Sequence, residues 1–181
     1  SEHEIERCST TGASPLTWGA QGSGSGQLRG PRGIAVRPAG GVHVADTGNN
    51  RIETFTSAGA HLDSWSGRGS GVGELDAPRD AVFADGELAI VADTGNDRVQ
   101  VLDGAGETVG GFGGSGTAVG EFDAPAGVVA SGSVVWVADT GNDRLQRTDA
   151  SGTTSALMGR SFHARHMPTP RTPHRAPTTG M

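Results

Sequence analysis

A repeat of 47 residues constrains this chain of 181 residues more than any other feature of its sequence. Pro31, Pro78 and Pro125 lie 47 residues apart, and similar phrases precede all three. The motif VADTGN follows each proline unchanged, at residues 44–49, 91–96 and 137–142. A fixed period of this size is typical of supersecondary units that stack on one another, so the architecture follows from the unit.

Each repeat unit contains four short segments with strand character. In the first complete unit they are GIAVR, VHVAD, RIETFTS and HLDSW, which are rich in apolar and β-branched residues. The segments PAGG, TGNN and SAGA separate them and contain residues that favour turns. No window has a useful helical periodicity. Four strands in a unit of this length predict one blade of a β-propeller, which is an all-β fold.

The same register places the boundaries of the units. Ile5 and Trp18 stand 47 residues before Ile52 and Trp65, so residues 1–19 are predicted to be the C-terminal half of a preceding blade. Complete blades are predicted at about 20–66, 67–113 and 114–159. The chain is therefore expected to form an incomplete propeller of three full blades and an N-terminal half-blade.

Residues 160–181 differ in composition from the repeats. They contain four Arg, three His and four Pro without an acidic residue, and they carry a formal charge of +4 against −10 for the rest. Because this segment has no apolar periodicity, it is predicted to be a disordered tail. Two origins stay open: a shifted reading frame of GC-rich codons, which the composition favours, or a genuine basic tail.

The repeats resemble the NHL repeat family. The segments PRGIAV…VHVADTGNNRI, PRDAVF…AIVADTGNDRV and PAGVVA…VWVADTGNDRL follow its pattern of two strands and a Gly-Asn-[Asn/Asp]-Arg turn over about residues 1–159. The resemblance implies a β-propeller, usually of six blades, and residence outside the cell or in the envelope of bacteria or archaea. NHL proteins bind proteins or RNA, sense extracellular signals or have lyase activity. Glu4 at the position of the motif arginine departs from the pattern, as do Arg147 and Thr148 in place of apolar residues.

The repeated polar residues are predicted to be structural. Equivalent residues of different blades lie at different angles around the propeller axis, whereas a catalytic site needs different residues at one point. We expect each Asp to accept hydrogen bonds from backbone N–H groups one or two residues later, and each Gly to supply a positive φ. Each Arg is expected to pair with an Asp of its own or a neighbouring blade. The motif comprises Asp46, Gly48, Asn49, Arg51, Asp93, Gly95, Asn96, Arg98, Asp139, Gly141, Asn142 and Arg144.

Candidate binding residues are those at which the repeats differ. Four of the six also have a structural explanation: a packed or edge position for the histidine, core or interblade packing for the tryptophan, and a solvated charge for Arg32 and Arg79. The loops before each proline connect the blades, and such loops often form binding surfaces. The candidates are Arg32, Arg37, His43, Arg79, Asp80 and Trp136.

The sequence predicts no catalytic residue, metal site or cofactor. Cys8 is the only cysteine, which excludes an intramolecular disulfide, and His3, His43 and His61 lack ligand spacing. Residues 111–116 match G-x-G-x-x-G, but no helix follows to bind a pyrophosphate. No apolar stretch approaches the roughly 20 residues that span a bilayer.

These observations favour a non-enzymatic β-propeller scaffold that binds a protein or a small ligand as part of a larger protein. The alternative is a metal-dependent enzyme of the lyase or lactonase kind, with an active site completed by missing blades. The charge of −10 over the repeats disfavours binding of nucleic acid. An open propeller exposes strand edges at both ends, which favours a homodimer or aggregation.

Overall fold

A computed structural model describes residues 3–9, 15–84 and 87–159. The tail at 160–181, for which the sequence predicts disorder, lies outside the described residues, as does Gly12 of the first half-blade. The described residues form fourteen β-strands and no α-helix. The prediction of an all-β chain is therefore confirmed.

The strands form three sheets of four and one sheet of two, and all neighbours are antiparallel and in chain order. The half-blade contains β1 (Ile5–Arg7) and β2 (Leu16–Trp18). Blade 1 contains β3 (Ile34–Val36), β4 (Val42–Asp46), β5 (Arg51–Phe55) and β6 (His61–Trp65). Blade 2 contains β7 (Asp80–Phe83), β8 (Ala89–Asp93), β9 (Arg98–Leu102) and β10 (Thr108–Gly113). Blade 3 contains β11 (Pro125–Ser131), β12 (Val134–Asp139), β13 (Arg144–Asp149) and β14 (Ala156–Gly159).

The blades stack with their first strands side by side. Strand β7 packs against β3 of the preceding blade and β11 of the following blade. The first strand of each blade is thus the inner one, and the fourth lies at the periphery. This arrangement is an incomplete β-propeller of three blades and a half-blade, as the repeat predicts.

The core lies between the blades. Because side chains alternate across a strand, each sheet presents one apolar face to the preceding blade and another to the following blade. Ile52 and Trp65 of blade 1 belong to the same cluster as Val91 and Leu102 of blade 2. Blades 2 and 3 share a second cluster, and a third joins the half-blade to blade 1. Complete burial of such a side chain stabilises the fold by about 1.5–3 kcal/mol.

The VADTGN motif ends the second strand of each blade in a short 3-10 turn. The positive φ predicted for the motif glycines is wrong, because the left-handed residue is the second after each glycine: Asn50, Asp97 and Asp143, with φ of 59°, 52° and 53°. Asn and Asp tolerate this conformation better than other side chains. The glycine is needed for a different reason: a Cβ on Gly48 would lie 2.5 Å from the carbonyl oxygen of Arg29. The N–H of Gly48 donates to that oxygen at 2.8 Å, so the two backbones must stay close.

Candidate functional site

The motif aspartate of each blade is completely buried and surrounded by donors. In blade 2 the carboxylate of Asp93 accepts hydrogen bonds from the N–H of Asp76 at 2.8 Å and the Nε of Arg98 at 2.7 Å. Asn96 and Gln100 donate to it as well, at 2.9 and 3.1 Å. The backbone donor precedes the aspartate by 17 residues, so the expectation of a donor one or two residues later is wrong. The carboxylate therefore joins the loop between blades 1 and 2, which contains Asp76, to the end of β8.

The motif arginine completes this network from the same blade. The sequence left open whether each motif arginine pairs with the aspartate of its own blade or with that of a neighbouring blade. In all three blades the arginine pairs with the aspartate of its own blade. The remaining guanidinium donors of Arg98 reach three backbone carbonyls of the preceding loop, those of Ser70, Gly71 and Glu74, at 2.8–2.9 Å. All these polar groups are engaged within the protein, which supports the interpretation of the motif as scaffold.

Sequence reasoning missed the fifth polar residue of this network. Gln100 and Gln146 donate to loop carbonyls and to the motif aspartates of blades 2 and 3. Blade 1 has Glu53 at the equivalent position, and this buried carboxylate contacts a guanidinium nitrogen of Arg51 at 2.7 Å. Gln100 and Gln146 occupy the same repeat position, and this recurrence could have predicted their part in the network.

Glu53 also contacts His61 and Ser64, which raises the question of a nucleophilic triad. Ser64 Oγ donates to Glu53 Oε1 at 2.9 Å, and the other carboxylate oxygen lies 2.7 Å from His61 Nε2. Ser64 Oγ lies 3.3 Å from that same nitrogen. In a triad the hydroxyl and the carboxylate contact opposite ring nitrogens, so this arrangement cannot transfer a proton through the imidazole.

His43 lies in the core between blades 1 and 2. Its ring centroid is 4.7 Å from those of both Trp65 and Phe83, and its Nδ1 has no hydrogen-bond partner among the described residues. Burial, and to a lesser extent the charge of Arg37, lower the pKa of His43 to about 4. A neutral, enclosed imidazole packs as an aromatic residue, in agreement with the structural explanation of this position.

We expect His43 to make the protein less stable in mild acid. Between pH about 6.5 and about 4 the unfolded chain binds a proton at His43 and the folded chain does not, so stability falls as the pH falls through this window. His43→Ile, which introduces the residue found at position 90, removes this contribution. Urea unfolding at pH 7 and pH 4.5 should show a smaller loss of stability for the variant. An equal loss for both proteins would contradict the assignment.

Arg37 forms a bridge between blades. Its guanidinium donates to Glu87 Oε2 at 2.7 and 3.1 Å and to the carbonyl oxygen of Gly104 at 3.1 Å. Both partners belong to blade 2, whereas Arg37 follows β3 of blade 1. The pair is partly exposed, so its contribution to stability is about 0.2–1 kcal/mol. Arg37 is thus already occupied by protein groups.

Asp80 stands where the inner strands of the three blades approach one another. Blades 1 and 3 have Gly33 and Gly127 at this position, and a Cβ on Gly33 would lie 2.6 Å from the Cα of Asp80. Asp80 Oδ2 accepts a hydrogen bond from the N–H of Val128 at 3.0 Å, which connects blades 2 and 3. Burial raises the pKa of Asp80.

The candidate residues do not form one cluster. His43 and Arg37 lie between blades 1 and 2, whereas Asp80 and Trp136 line a shallow cavity of about 410 Å³ on the outward face of blade 3. Arg32 is exposed and Arg79 is half-buried. Only the last pair, Asp80 and Trp136, is therefore brought together at an open apolar surface.

This surface, which we call the end surface, consists of Val129, Trp136, Leu145 and Met158 on the face of blade 3 that no described blade covers. Leu145 is 41% exposed and Met158 is 52% exposed. Their equivalents in blade 1, Ile52 and Trp65, are 1% and 5% exposed because blade 2 covers them. The end surface therefore has the apolar residues of an interface between two blades, but no described blade covers it.

The fold and these interfaces define the class of the protein as a β-propeller. No protein-family model matches the sequence, and no curated protein matches it. Among the described residues, no helix could cross a membrane, and no three metal-ligating side chains lie together.

Similar solved structures support this class. A streptogramin B lyase superimposes with a TM-score of 0.67 at 16% identity over 93% of this chain and 49% of its own. A catalytically inactive virginiamycin B lyase from Staphylococcus aureus with quinupristin gives 0.67 at 14% identity, covering 88% and 50%. The selenomethionine form of that lyase gives 0.66 at 18% identity, covering 93% and 50%. The chain spans about half the length of these proteins, and the likeness concerns the fold.

Proposed function

We propose that this chain is part of an NHL-type β-propeller and acts as a protein-binding scaffold without catalytic activity of its own. The observation that carries the proposal is the end surface, where residues equivalent to core residues are exposed. Exposed apolar patches of this kind mark sites of protein association. A β-sheet of the blade type fits the end surface, since such a sheet covers the equivalent face of blades 1 and 2.

The polar chemistry of the repeats supports a scaffold role. The carboxylates and guanidinium groups of the motif are engaged in hydrogen bonds that connect loops to strands, as Asp93 and Arg98 illustrate. The three and a half blades of this chain match 49% of the length of the streptogramin B lyase. This proportion favours a ring of about seven blades over the six that the family resemblance implies.

The scaffold proposal is tested by the native mass of the full chain. We expect the wild-type chain to associate at micromolar concentration and Leu145→Asp/Met158→Asp to be monomeric in light scattering on a sizing column. Val119→Asp is the matched control, because Val119 is 61% exposed and lies in a loop outside the end surface. A monomeric wild-type chain, or association unchanged by the double substitution, would contradict the proposal.

The second candidate is a lyase-like propeller enzyme, which the similarity to streptogramin B and virginiamycin B lyases favours. It is tested by incubating the full chain with quinupristin, with and without added divalent metal, and following the compound by mass spectrometry. Under the scaffold proposal quinupristin remains unchanged. Its conversion, and retention of activity in the Leu145→Asp/Met158→Asp variant, would favour the enzyme instead.

A further inference from the structure

The outer strand of blade 2 differs from those of blades 1 and 3 in having two adjacent glycines, Gly110 and Gly111. The register of strand pairing makes Gly111 equivalent to Ser64 of blade 1 and to Leu157 of blade 3. Because side chains alternate across a strand, the side chain at this position lies on the same face of the sheet as the motif arginine. Blade 2 therefore lacks a side chain beside its arginine where the other two blades have one.

The missing side chain leaves the motif arginine of blade 2 more open than its equivalents. The side chain of Arg98 is 21% exposed. Arg51 of blade 1, which has a serine beside it, is 13% exposed. Arg144 of blade 3, which has a leucine beside it, is 5% exposed. The exposure of the arginine thus falls as the residue beside it grows from Gly to Ser to Leu.

These differences create a cavity of about 430 Å³ at the periphery of blade 2, which we call the β10 notch. It is lined by Val72 of the loop between blades 1 and 2 and by Arg98, Thr108, Val109 and Gly111 of blade 2. Four of the five N–H donors of Arg98 are engaged within the protein, in the plane of the guanidinium. The part of this group that a ligand can contact is therefore chiefly its flat face.

The β10 notch adjoins a free strand edge. Among the described strands β10 pairs with β9 alone, and it is the outermost strand of its blade. Blades 1 and 3 cover the two faces of blade 2, so the outer edge is the open part of this sheet. Strand β10 contains neither a charged residue nor a proline, with which proteins usually block strand addition. Its two glycines allow another backbone to approach closely.

We propose that the β10 notch binds an extended peptide of another protein that carries an aromatic residue. The peptide pairs with the free edge of β10 as a fifth strand, and its aromatic ring enters the notch above Gly111 and stacks on the guanidinium of Arg98. In strand addition the main-chain hydrogen bonds supply affinity, and side-chain pockets supply specificity. The notch lies at the periphery of blade 2, away from the end surface, so this inference does not rest on the scaffold proposal.

The chemistry of the notch favours an aromatic ring over other side chains. An ammonium group would be repelled by the charge of Arg98, and a carboxylate would find few free donors on it. The flat face of a guanidinium attracts the π-system of a ring, and an alkyl group does not gain this attraction. Val72 and Val109, both exposed, provide apolar walls on either side.

The test is a fluorescence anisotropy titration of the full chain with a labelled, capped peptide of sequence Thr-Val-Thr-Trp-Thr-Val-Lys. A short extended peptide must be ordered on binding, so we expect a Kd of about 10–100 μM. The same peptide with leucine in place of tryptophan should bind about three- to tenfold more weakly, since it loses the stacking on the guanidinium. Equal affinity of the two peptides would overturn the assignment of an aromatic occupant.

N-methylated peptides test strand addition. Successive N–H groups of an extended peptide point to opposite edges, so methylation of the even or of the odd positions blocks one edge at a time. One of the two methylated peptides should bind at least about tenfold more weakly than the other. Backbone amides of β10 should exchange with solvent more slowly in the complex with the unmethylated peptide. Equal affinity of the two methylated peptides would overturn strand addition.

Two protein variants locate the site. Gly111→Leu and Gly110→Ala each introduce the residue that blade 3 has at the equivalent position. Gly111→Leu should fill the notch and weaken peptide binding at least about tenfold. Gly110→Ala should leave binding unchanged, because its Cβ points to Val101 on the opposite face of the strand. If circular dichroism shows that Gly111→Leu does not fold, Val72→Asp at an exposed wall of the notch takes its place with the same expected loss.

Three outcomes would overturn the proposal. The first is absence of peptide binding to the wild-type chain. The second is unchanged binding to the variant with a filled notch, which would place the peptide elsewhere on the protein. The third is self-association that Gly111→Leu abolishes while no peptide binds, which would assign the edge of β10 to a second copy of this chain.

Discussion

Replacing Asp93 by alanine is expected to lower the free energy of unfolding by about 3–5 kcal/mol, the usual cost of removing one partner of a buried ion pair. The side chain is completely buried and accepts hydrogen bonds from Asp76, Asn96, Arg98 and Gln100. Without the carboxylate, the guanidinium of Arg98 loses its counter-charge, and the N–H of Asp76 loses its acceptor. Urea unfolding at pH 7, followed by circular dichroism, measures the change.

The control for this substitution is Asp63→Ala. Asp63 is exposed, and its carboxylate accepts only the N–H of the adjacent Ser64 among the described contacts. We expect its replacement to change stability by less than about 0.5 kcal/mol. If both variants lost the same stability, the motif aspartate would not join loop and blade as the structure indicates. Because the blades are stacked repeats, the slope of the transition should be compared as well, since partial unfolding would lower it.

Gly48→Ala is expected to destabilise the protein by about 1–3 kcal/mol, in the range of other substitutions that force extra atoms into a packed site. The new Cβ would lie 2.5 Å from the carbonyl oxygen of Arg29 and 2.8 Å from its Cγ. To relieve this overlap, the interblade loop must move away from the turn and weaken the hydrogen bond between Gly48 and Arg29. The measurement is again the free energy of unfolding in urea.

Gly67→Ala is the matched control for the steric explanation. A Cβ on Gly67 meets no atom within 4 Å, and this glycine has no positive φ. We expect a change of less than about 0.5 kcal/mol for this surface substitution. Equal effects of the two alanines would show that lost glycine flexibility, and not the close approach at Gly48, determines the cost.

The strands of each blade could be predicted because their signals are local. Alternation of apolar residues in segments such as VHVAD, with turn residues on both sides, places a strand without knowledge of its neighbours. The 47-residue period then extends the assignment to every copy. The observed inner strand of blade 1, β3, is shorter than the segment GIAVR, although the carbonyl of Gly33 and the N–H of Arg37 still bond to Ala45 and Gly41 across the hairpin.

The partners of the polar motif could not be predicted. Each aspartate meets a backbone N–H that lies 16 or 17 residues earlier, in a loop whose path depends on how the blades stack. From the sequence, Asp-Thr-Gly-Asn predicts a local turn in which the aspartate accepts nearby N–H groups and the glycine has a positive φ. The stacking instead brings the loop carbonyl close to the turn, so that the glycine is needed for space.

By itself, the sequence determined the repeating unit, its four strands, the number of complete blades and the half-blade, since these follow from periodicity and turn chemistry along the chain. Only the tertiary structure decided which residues are exposed. Ile52 and Leu145 occupy the same position in their blades, as do Ala81 and Ile34, yet one member of each pair is buried and the other is open. The difference arises because burial between blades depends on whether a neighbouring sheet covers the face, and that is a property of the stack and not of the unit.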